Sequence, residues 1–221
     1  MINVAIDGPA GAGKSTISRK AAETLGYIYI DTGALYRTVG LAALRKGIDI
    51  DNPEDIVTVL TEDLTVELKF IDGAQRMFLN KEDVSDFIRT PEASMAASRV
   101  SAVPEVRKFL FDLQKKMARE NNCIMDGRDI GTVVLPDAKV KIFLTASPEA
   151  RAERRYKELV EKGMDVKIED VLADINERDY NDSHRAIAPL KQDDDAILCD
   201  TSELTLEDSI SLIINTIKDN I

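Results

Sequence analysis

The sequence predicts an α/β fold: a parallel β-sheet flanked by helices, built around a phosphate-binding loop, with an inserted lobe and a helical excursion. Three observations predict it. Gly8-Pro9-Ala10-Gly11-Ala12-Gly13-Lys14-Ser15 fills every fixed position of G-x-x-x-x-G-K-[ST]. Short apolar runs at residues 2–6, 27–30, 123–125, 140–144 and 196–199 suit strands covered on both faces, and Asp31, Asp126 and Asp200 directly follow three of them. Helix-patterned segments lie between those runs, as parallel pairing requires.

The first run leads into the glycine loop, whose backbone N–H groups can turn inward on phosphate oxygens. Lys14 would reach the β- and γ-phosphates, and the Ser15 hydroxyl would bind Mg²⁺. Residues 16–25 follow with Ile17, Ala21 and Leu25 at helical spacing, and Gly26 supplies a stop. Strand, loop and helix in this order aim a helix N-terminus at the phosphates.

The second run opens into Asp31-Thr32-Gly33-Ala34-Leu35-Tyr36-Arg37. Strand ends line the ligand crevice of an open α/β sheet, so Arg37 is placed to hold a second anion, with Thr32 and Tyr36 as hydrogen-bonding partners. An ordinary capped helix explains the same residues equally well. Residues 64–71 and 76–79 flank Asp72-Gly73-Ala74-Gln75 and alternate apolar with polar, which predicts an antiparallel hairpin on an inserted lobe. Asn80-Lys81-Glu82-Asp83 imitates a guanine-reading N-K-x-D motif. No D-x-x-G closes the third core strand, and the tetrad falls in the hairpin region, so it reads as a turn.

The third core run ends in Asp126-Gly127-Arg128-Asp129. An apolar strand closing on Asp resembles a Walker B strand, which gives Asp126 the ordering of Mg²⁺ through water. A plain strand-to-turn transition would leave Arg128 and Asp129 in the crevice without partners. After residues 140–144 comes a polar helical stretch, 148–184, with a break at Gly163, as expected of a closing lid. Arg151, Arg154 and Arg155 share one helical face there, and Arg178 and Arg185 share another if the helix continues, with Asp182 between them. This reads as an anion clamp; Glu149, Glu153, Glu158 and Asp179 are the acids that would instead make it a solvated face.

Composition sets the outer limits. The 221 residues suit one compact α/β unit with appendages, and the formal net charge of -11 argues against a general nucleic-acid or anionic-membrane binder. A nucleotide site must then be a local concentration of Arg and Lys. Cys123 and Cys199 lie in apolar runs and read as buried thiols. His184 is the single histidine, no metal-ligand cluster is visible, and no apolar run reaches membrane-spanning length. The expectation is a soluble, cytoplasmic protein.

The P-loop, Thr-Gly-Ala-Leu-Tyr-Arg after the second strand, Asp-Gly-Arg-Asp after the third, Arg-Ala-Glu-Arg-Arg in the lid, Glu177-Arg178-Asp179 and residues 185–190 together resemble bacterial cytidylate kinases across essentially the whole chain. The resemblance implies a nucleoside monophosphate kinase that moves the γ-phosphoryl group of ATP, with Mg²⁺, to CMP or dCMP. It implies a P-loop core (1–30, 91–145 and 186–221), a monophosphate-binding lobe with the hairpin (31–90) and a lid (146–185). ATP contacts fall on Gly8, Pro9, Ala10, Gly11, Ala12, Gly13, Lys14, Ser15 and Thr16, joined by Arg151 and Arg155. Cytosine contacts fall on Ser98, Arg107 and Asp129, acceptor-phosphate contacts on Arg37, Arg128 and Arg185, and ribose contacts on Arg178 and Asp182. The family often has Ser where Thr32 stands, which keeps the hydroxyl. Charge neutralisation in transfer falls to Lys14, Arg128, Arg154, Arg155 and Arg185. A monomer with nucleotide partners only is expected. An alcohol-phosphorylating kinase would want a carboxylate base near its acceptor instead.

Overall fold

Strand β1 (Asn3–Asp7) is flanked on both sides by parallel partners, so it is the middle strand on which the site is built. The computed structural model of the chain describes residues 1–71 and 74–221; of the turn expected at Asp72-Gly73-Ala74-Gln75, Asp72 and Gly73 lie outside them, and Ala74 and Gln75 belong to a strand rather than to a turn. The chain divides into two units, Met1–Tyr29 with Ala118–Ile221, and Ile30–Met117.

In the first unit β1 leads to α1 (Lys14–Leu25), which begins two residues earlier than the apolar spacing predicts and stops at left-handed Gly26. Strand β2 (Ile28–Asp31) follows, and the division between the units falls within it. The sheet is completed by three strands that come later in the chain. These are β6 (Cys123–Gly127), β7 (Val140–Thr145) and β8 (Ile197–Asp200), in the order β2-β6-β1-β7-β8. All five expected strands are present, and β6–β1, β1–β7 and β7–β8 pair in parallel. Register then does the positioning: Asp7 lies opposite Gly127 and Ile6 opposite Asp126, so the residues that end two apolar runs meet at one sheet edge.

Helices α6 (Pro148–Glu161), α7 (Ile168–His184) and α8 (Leu206–Lys218) belong to the same unit. The core beneath the sheet edge buries Val4, Ile6, Ile17, Ile124, Ile142 and Leu144, each contributing about 1.5–3 kcal/mol by leaving water. Cys123 and Cys199 are buried free thiols, as expected, and burial pushes the Cys123 thiol up to about 12. Gly163 sits in the left-handed region between α6 and α7, where the break was expected. Helix α7 ends at His184, however, and Arg185 takes an extended backbone. The helical face expected to carry both Arg178 and Arg185 therefore does not exist.

The second unit carries α2 (Thr32–Arg45), α3 (Pro53–Val57), β3 (Val66–Ile71), β4 (Ala74–Leu79), β5 (Glu82–Asp83), α4 (Pro91–Ser101) and most of α5 (Pro104–Glu120). The expected hairpin forms with Val66 opposite Leu79, and β5 extends it to three strands. Asn80 and Lys81 turn the chain between β4 and β5 with φ of 49° and 73°, so the first half of the N-K-E-D tetrad is the expected turn, while Glu82 and Asp83 form β5. Residues 91–117 group with this lobe, whereas the sequence places them in the core. Val100, Val103, Val106 and Leu110 pack into one cluster with Leu35, Val39 and Met77, an association that short helical patterns do not disclose. Likewise, residues 146–185 group with the sheet. Among the described residues no helix is long and apolar enough to cross a membrane.

Candidate active site

The glycine loop follows β1 directly. Gly8 has φ 151°, and a Cβ there would stand 1.9 Å from the Leu144 carbonyl oxygen, so no other residue fits. Gly13, at φ 83°, caps α1, whose first turn holds no acidic side chain. The helix thus begins with unmatched N–H groups and a positive dipole end, both suited to an anion. Gly11 is exposed, Ala12 buried, and Ser15 and Thr16 face solvent at the helix start.

Lys14 is buried, and its Nζ donates to the Pro9 carbonyl at 2.7 Å. Burial, reinforced by the nearby Arg128 charge, pulls the ammonium down to about 7, against the opposing pull of Asp126, Asp182 and Asp7. Phosphate would restore the missing counter-charge. The Ser15 hydroxyl donates to Asp126 Oδ2 at 3.0 Å, and the Tyr29 hydroxyl donates to Oδ1 at 3.1 Å. A hydroxyl beside a buried carboxylate is an all-oxygen donor set, which fits a hard cation such as Mg²⁺.

The loop after β6 has partners that the sequence did not disclose. Arg128 Nε donates to Asp182 Oδ2 at 2.7 Å, and Arg185 Nη2 donates to Asp129 Oδ1 at 3.3 Å. Partnerlessness in a plain turn is thus no argument for a functional role, because α7 and the residue after it supply the partners. Asp7 was missed. It is buried, and its carboxylate accepts from the Ile130 and Gly131 N–H groups at 2.8 and 2.7 Å. Desolvation raises it to about 6 despite those two bonds. The available signal was its place at the end of an apolar strand, the pattern noted at Asp31, Asp126 and Asp200.

The three lid arginines part company. Arg151 is buried and donates to the carbonyls of Ala146 and Ala10, both at 2.9 Å, and pairs with Asp179 at 2.5 Å. It ties α6 to the P-loop backbone and to α7. Arg154 donates to the Thr201 carbonyl, and exposed Arg155 pairs with Glu158 at 2.8 Å. Arg178 is exposed on α7. Asp179 and Glu158 are therefore the acids that face Arg151 and Arg155, while Glu153 pairs with Lys157.

In the second unit Asp31 caps α2 by accepting from Ala34 N–H at 2.9 Å and pairs with Arg37 at 2.8 Å. Gly33 leaves room for that pair: a Cβ there would stand 3.0 Å from Arg37 Nη1. Among the described residues the buried Arg37 Nε has no acceptor. Gln75 was also missed: its Oε1 accepts from Asp31 N–H at 2.8 Å and its Nε2 donates to the Asp31 carbonyl at 3.4 Å. Thr32 is buried at the start of α2. Ser98, Arg107 and Tyr36 are brought together. Ser101 bridges the first two, its hydroxyl donating to the Ser98 carbonyl at 2.9 Å and its carbonyl accepting from Arg107 at 3.3 Å. The Arg107 guanidinium lies 5.7 Å from the Tyr36 ring centre.

The cytidylate kinase family model matches residues 4–219. A cytidylate kinase of Caldicellulosiruptor bescii is 50% identical over 213 residues, covering 96% of this chain and 94% of that protein. One from Caldanaerobacter subterraneus subsp. tengcongensis is 50% identical over 220 residues, covering 99% and 96%. Among solved structures, an uncharacterized protein from Eubacterium ventriosum aligns with a TM-score of 0.53 at 12% identity, covering 99% of both chains, which speaks to the fold alone. With the family model spanning nearly every residue and half the sequence shared with these relatives, the chain belongs to the cytidylate kinase family.

Proposed function

We propose that this protein transfers the γ-phosphoryl group of ATP to CMP or dCMP, giving ADP and CDP or dCDP. The observation that carries the donor half is the Ser15–Asp126 pair at the head of α1, beside buried Lys14. Ser15 would hold Mg²⁺ directly and Asp126 through water; when bound, the ion neutralises charge on the β- and γ-phosphates. The P-loop residues Gly8 to Thr16 cradle the triphosphate, and Arg151 holds Ala10 in place from behind. Exposed Arg155 is free to leave Glu158 for phosphate, because an exposed ion pair is worth only about 0.2–1 kcal/mol. Arg154 stands at the start of the β8–α8 connection through Thr201.

The nucleophile is a phosphate oxygen of the acceptor, already ionised at neutral pH. A new bond forms from that oxygen to the γ-phosphorus, the bond to the bridging oxygen breaks, and ADP leaves with the electron pair. No general base is needed, so catalysis is alignment and charge neutralisation. Arg37, with its buried Nε–H lacking an acceptor, supports a phosphorylated acceptor, and Arg128 and Arg185 take the same role in the first unit. Arg178 and Asp182 serve the ribose, Thr32 and Tyr36 the acceptor, and Ser98, Arg107 and Asp129 the base. A carboxylate accepts from the cytosine amino group, whereas uracil presents a carbonyl there. The protein acts as a monomer in the cytoplasm. The test is ADP release from Mg-ATP against CMP, dCMP, UMP, AMP and shikimate: turnover with the cytidine nucleotides at least tenfold above UMP is expected. Flat activity across the set, or none, would overturn the reading.

A further inference from the structure

We propose that Asp7 is a positioning residue for acceptor selectivity: it caps the turn after β6 in place of Asp129, leaving Asp129 to face the acceptor base. The inference rests on the reading of Asp129 as the cytosine contact. Ile130–Val134 forms a single turn of π-helix, and Asp129 is its N-cap residue. The first N–H groups of any helical turn lack partners within it, and an N-terminal Asp ordinarily accepts from them. Asp129 makes no such bond. The two N–H groups at the start of the turn, Ile130 and Gly131, go instead to the two oxygens of Asp7, at 2.8 and 2.7 Å.

Three features make this arrangement specific to the loop. The parallel register puts Asp7 opposite Gly127, so β1 delivers the carboxylate beneath the segment that carries Arg128 and Asp129. At Gly131 a Cβ would stand 3.4 Å from Asp7 Oδ2, an ordinary contact, so the carboxylate reaches the Gly131 N–H without crowding. Asp7 is buried, at 5% exposure, and a charge kept there against its desolvation needs a geometric return. That return is a turn capped without Asp129, whose own side chain is buried as well and pairs with Arg185. The strand that opens the P-loop thereby also sets the acceptor-reading loop.

The test is Asp7→Asn in the full-length protein, measured by steady-state kinetics with Mg-ATP and either CMP or UMP. An amide of the same shape accepts from one N–H group and turns its own NH₂ on the other, which frees that end of the turn to recruit Asp129. The KM for CMP is expected to rise about tenfold while the KM for ATP stays within about twofold, and the CMP/UMP ratio of kcat/KM to fall. Asp7→Glu, which keeps the carboxylate but lengthens its reach, should move the same quantities in the same direction by about threefold. Wild-type values of both in Asp7→Asn, or an equal loss for ATP and CMP, would overturn the proposal; if that variant does not fold, an unchanged Asp7→Glu overturns it instead. A wild type indifferent to CMP and UMP refutes the Asp129 reading itself. A preference lost in Asp129→Ala but kept in Asp7→Asn refutes only the role of Asp7.

Discussion

Asp7, Asp126 and Asp129 are held at or just beyond strand ends in the first unit, whereas Thr32, Arg37, Ser98 and Arg107 ride on helices packed over an apolar cluster in the second. The difference is one of tolerance. A strand end is fixed by a ladder on both sides, and β1 cannot slip without reversing every side chain. Charges there can be buried and kept at an energetic cost, visible in Asp7 raised to about 6. In the second unit the Asp31–Arg37 pair is partly exposed: Asp31 ends β2 and caps α2, Gln75 on β4 holds its backbone, and Arg37 reaches it from the helix. Rigid placement suits a residue asked to discriminate between similar bases, the role proposed for Asp129.

The largest expected effect follows from that contrast. Asp129→Ala removes the buried acceptor and should lower the CMP/UMP ratio of kcat/KM by roughly ten- to a hundredfold, the equivalent of about 1–3 kcal/mol. Competition kinetics with both nucleotides measure it. A ratio that stays put would break the comparison, because base reading would then belong to the helix-borne residues of the second unit.

The same contrast explains what could be read from the sequence. Positions fixed by strand ends are local in sequence: an apolar run closing on Asp locates Asp126, and the glycine pattern locates Lys14 and Ser15. Asp7 obeyed that rule and was missed only because the following loop absorbs the eye. Pairings such as Arg128–Asp182, 54 residues apart, and Gln75–Asp31, 44 apart, join segments whose closeness only the fold decides. For that reason Arg128 looked partnerless and the hairpin looked like an appendage. Arg151 shares a helical face with Arg154 and Arg155, yet burial against Ala10 and Ala146 sets it apart, and spacing carries no record of burial. Ser98 and Arg107 came from family resemblance alone, since neither an exposed Ser on α4 nor a half-buried Arg on α5 makes a pattern of its own.

A pH titration sharpens the cost side of the comparison. The folded value of Asp7, about 6, lies above its ordinary 3.8, so the folded protein holds this proton more tightly than the unfolded chain. Its stabilising contribution is therefore fully present below 3.8 and is lost as the pH rises through 6. Between about pH 7 and about pH 4.5 the unfolding free energy of the wild type should gain about 2 kcal/mol relative to Asp7→Asn, read from paired denaturant titrations. A constant difference across that window would mean that Asp7 is not desolvated, and that strand ends and helix faces do not differ in the charge they bury.

The smallest expected effect tests the helix-borne side and the inserted sheet together. Gln75, on β4, grips both backbone polar groups of Asp31, and Asp31 in turn holds Arg37 while capping α2. The sheet thus reaches the arginine through two links. Gln75→Ala removes about one net hydrogen bond, near 1 kcal/mol, which corresponds to about a fivefold rise in the KM for CMP. The KM for ATP should not change, since no P-loop residue is touched. Asp31→Asn, which weakens the ion pair but keeps the cap oxygen, should produce the same selective rise. If Gln75→Ala instead lowers the melting temperature and leaves both KM values alone, the glutamine only anchors the sheet, and the placement of Arg37 rests on the α2 cap by itself.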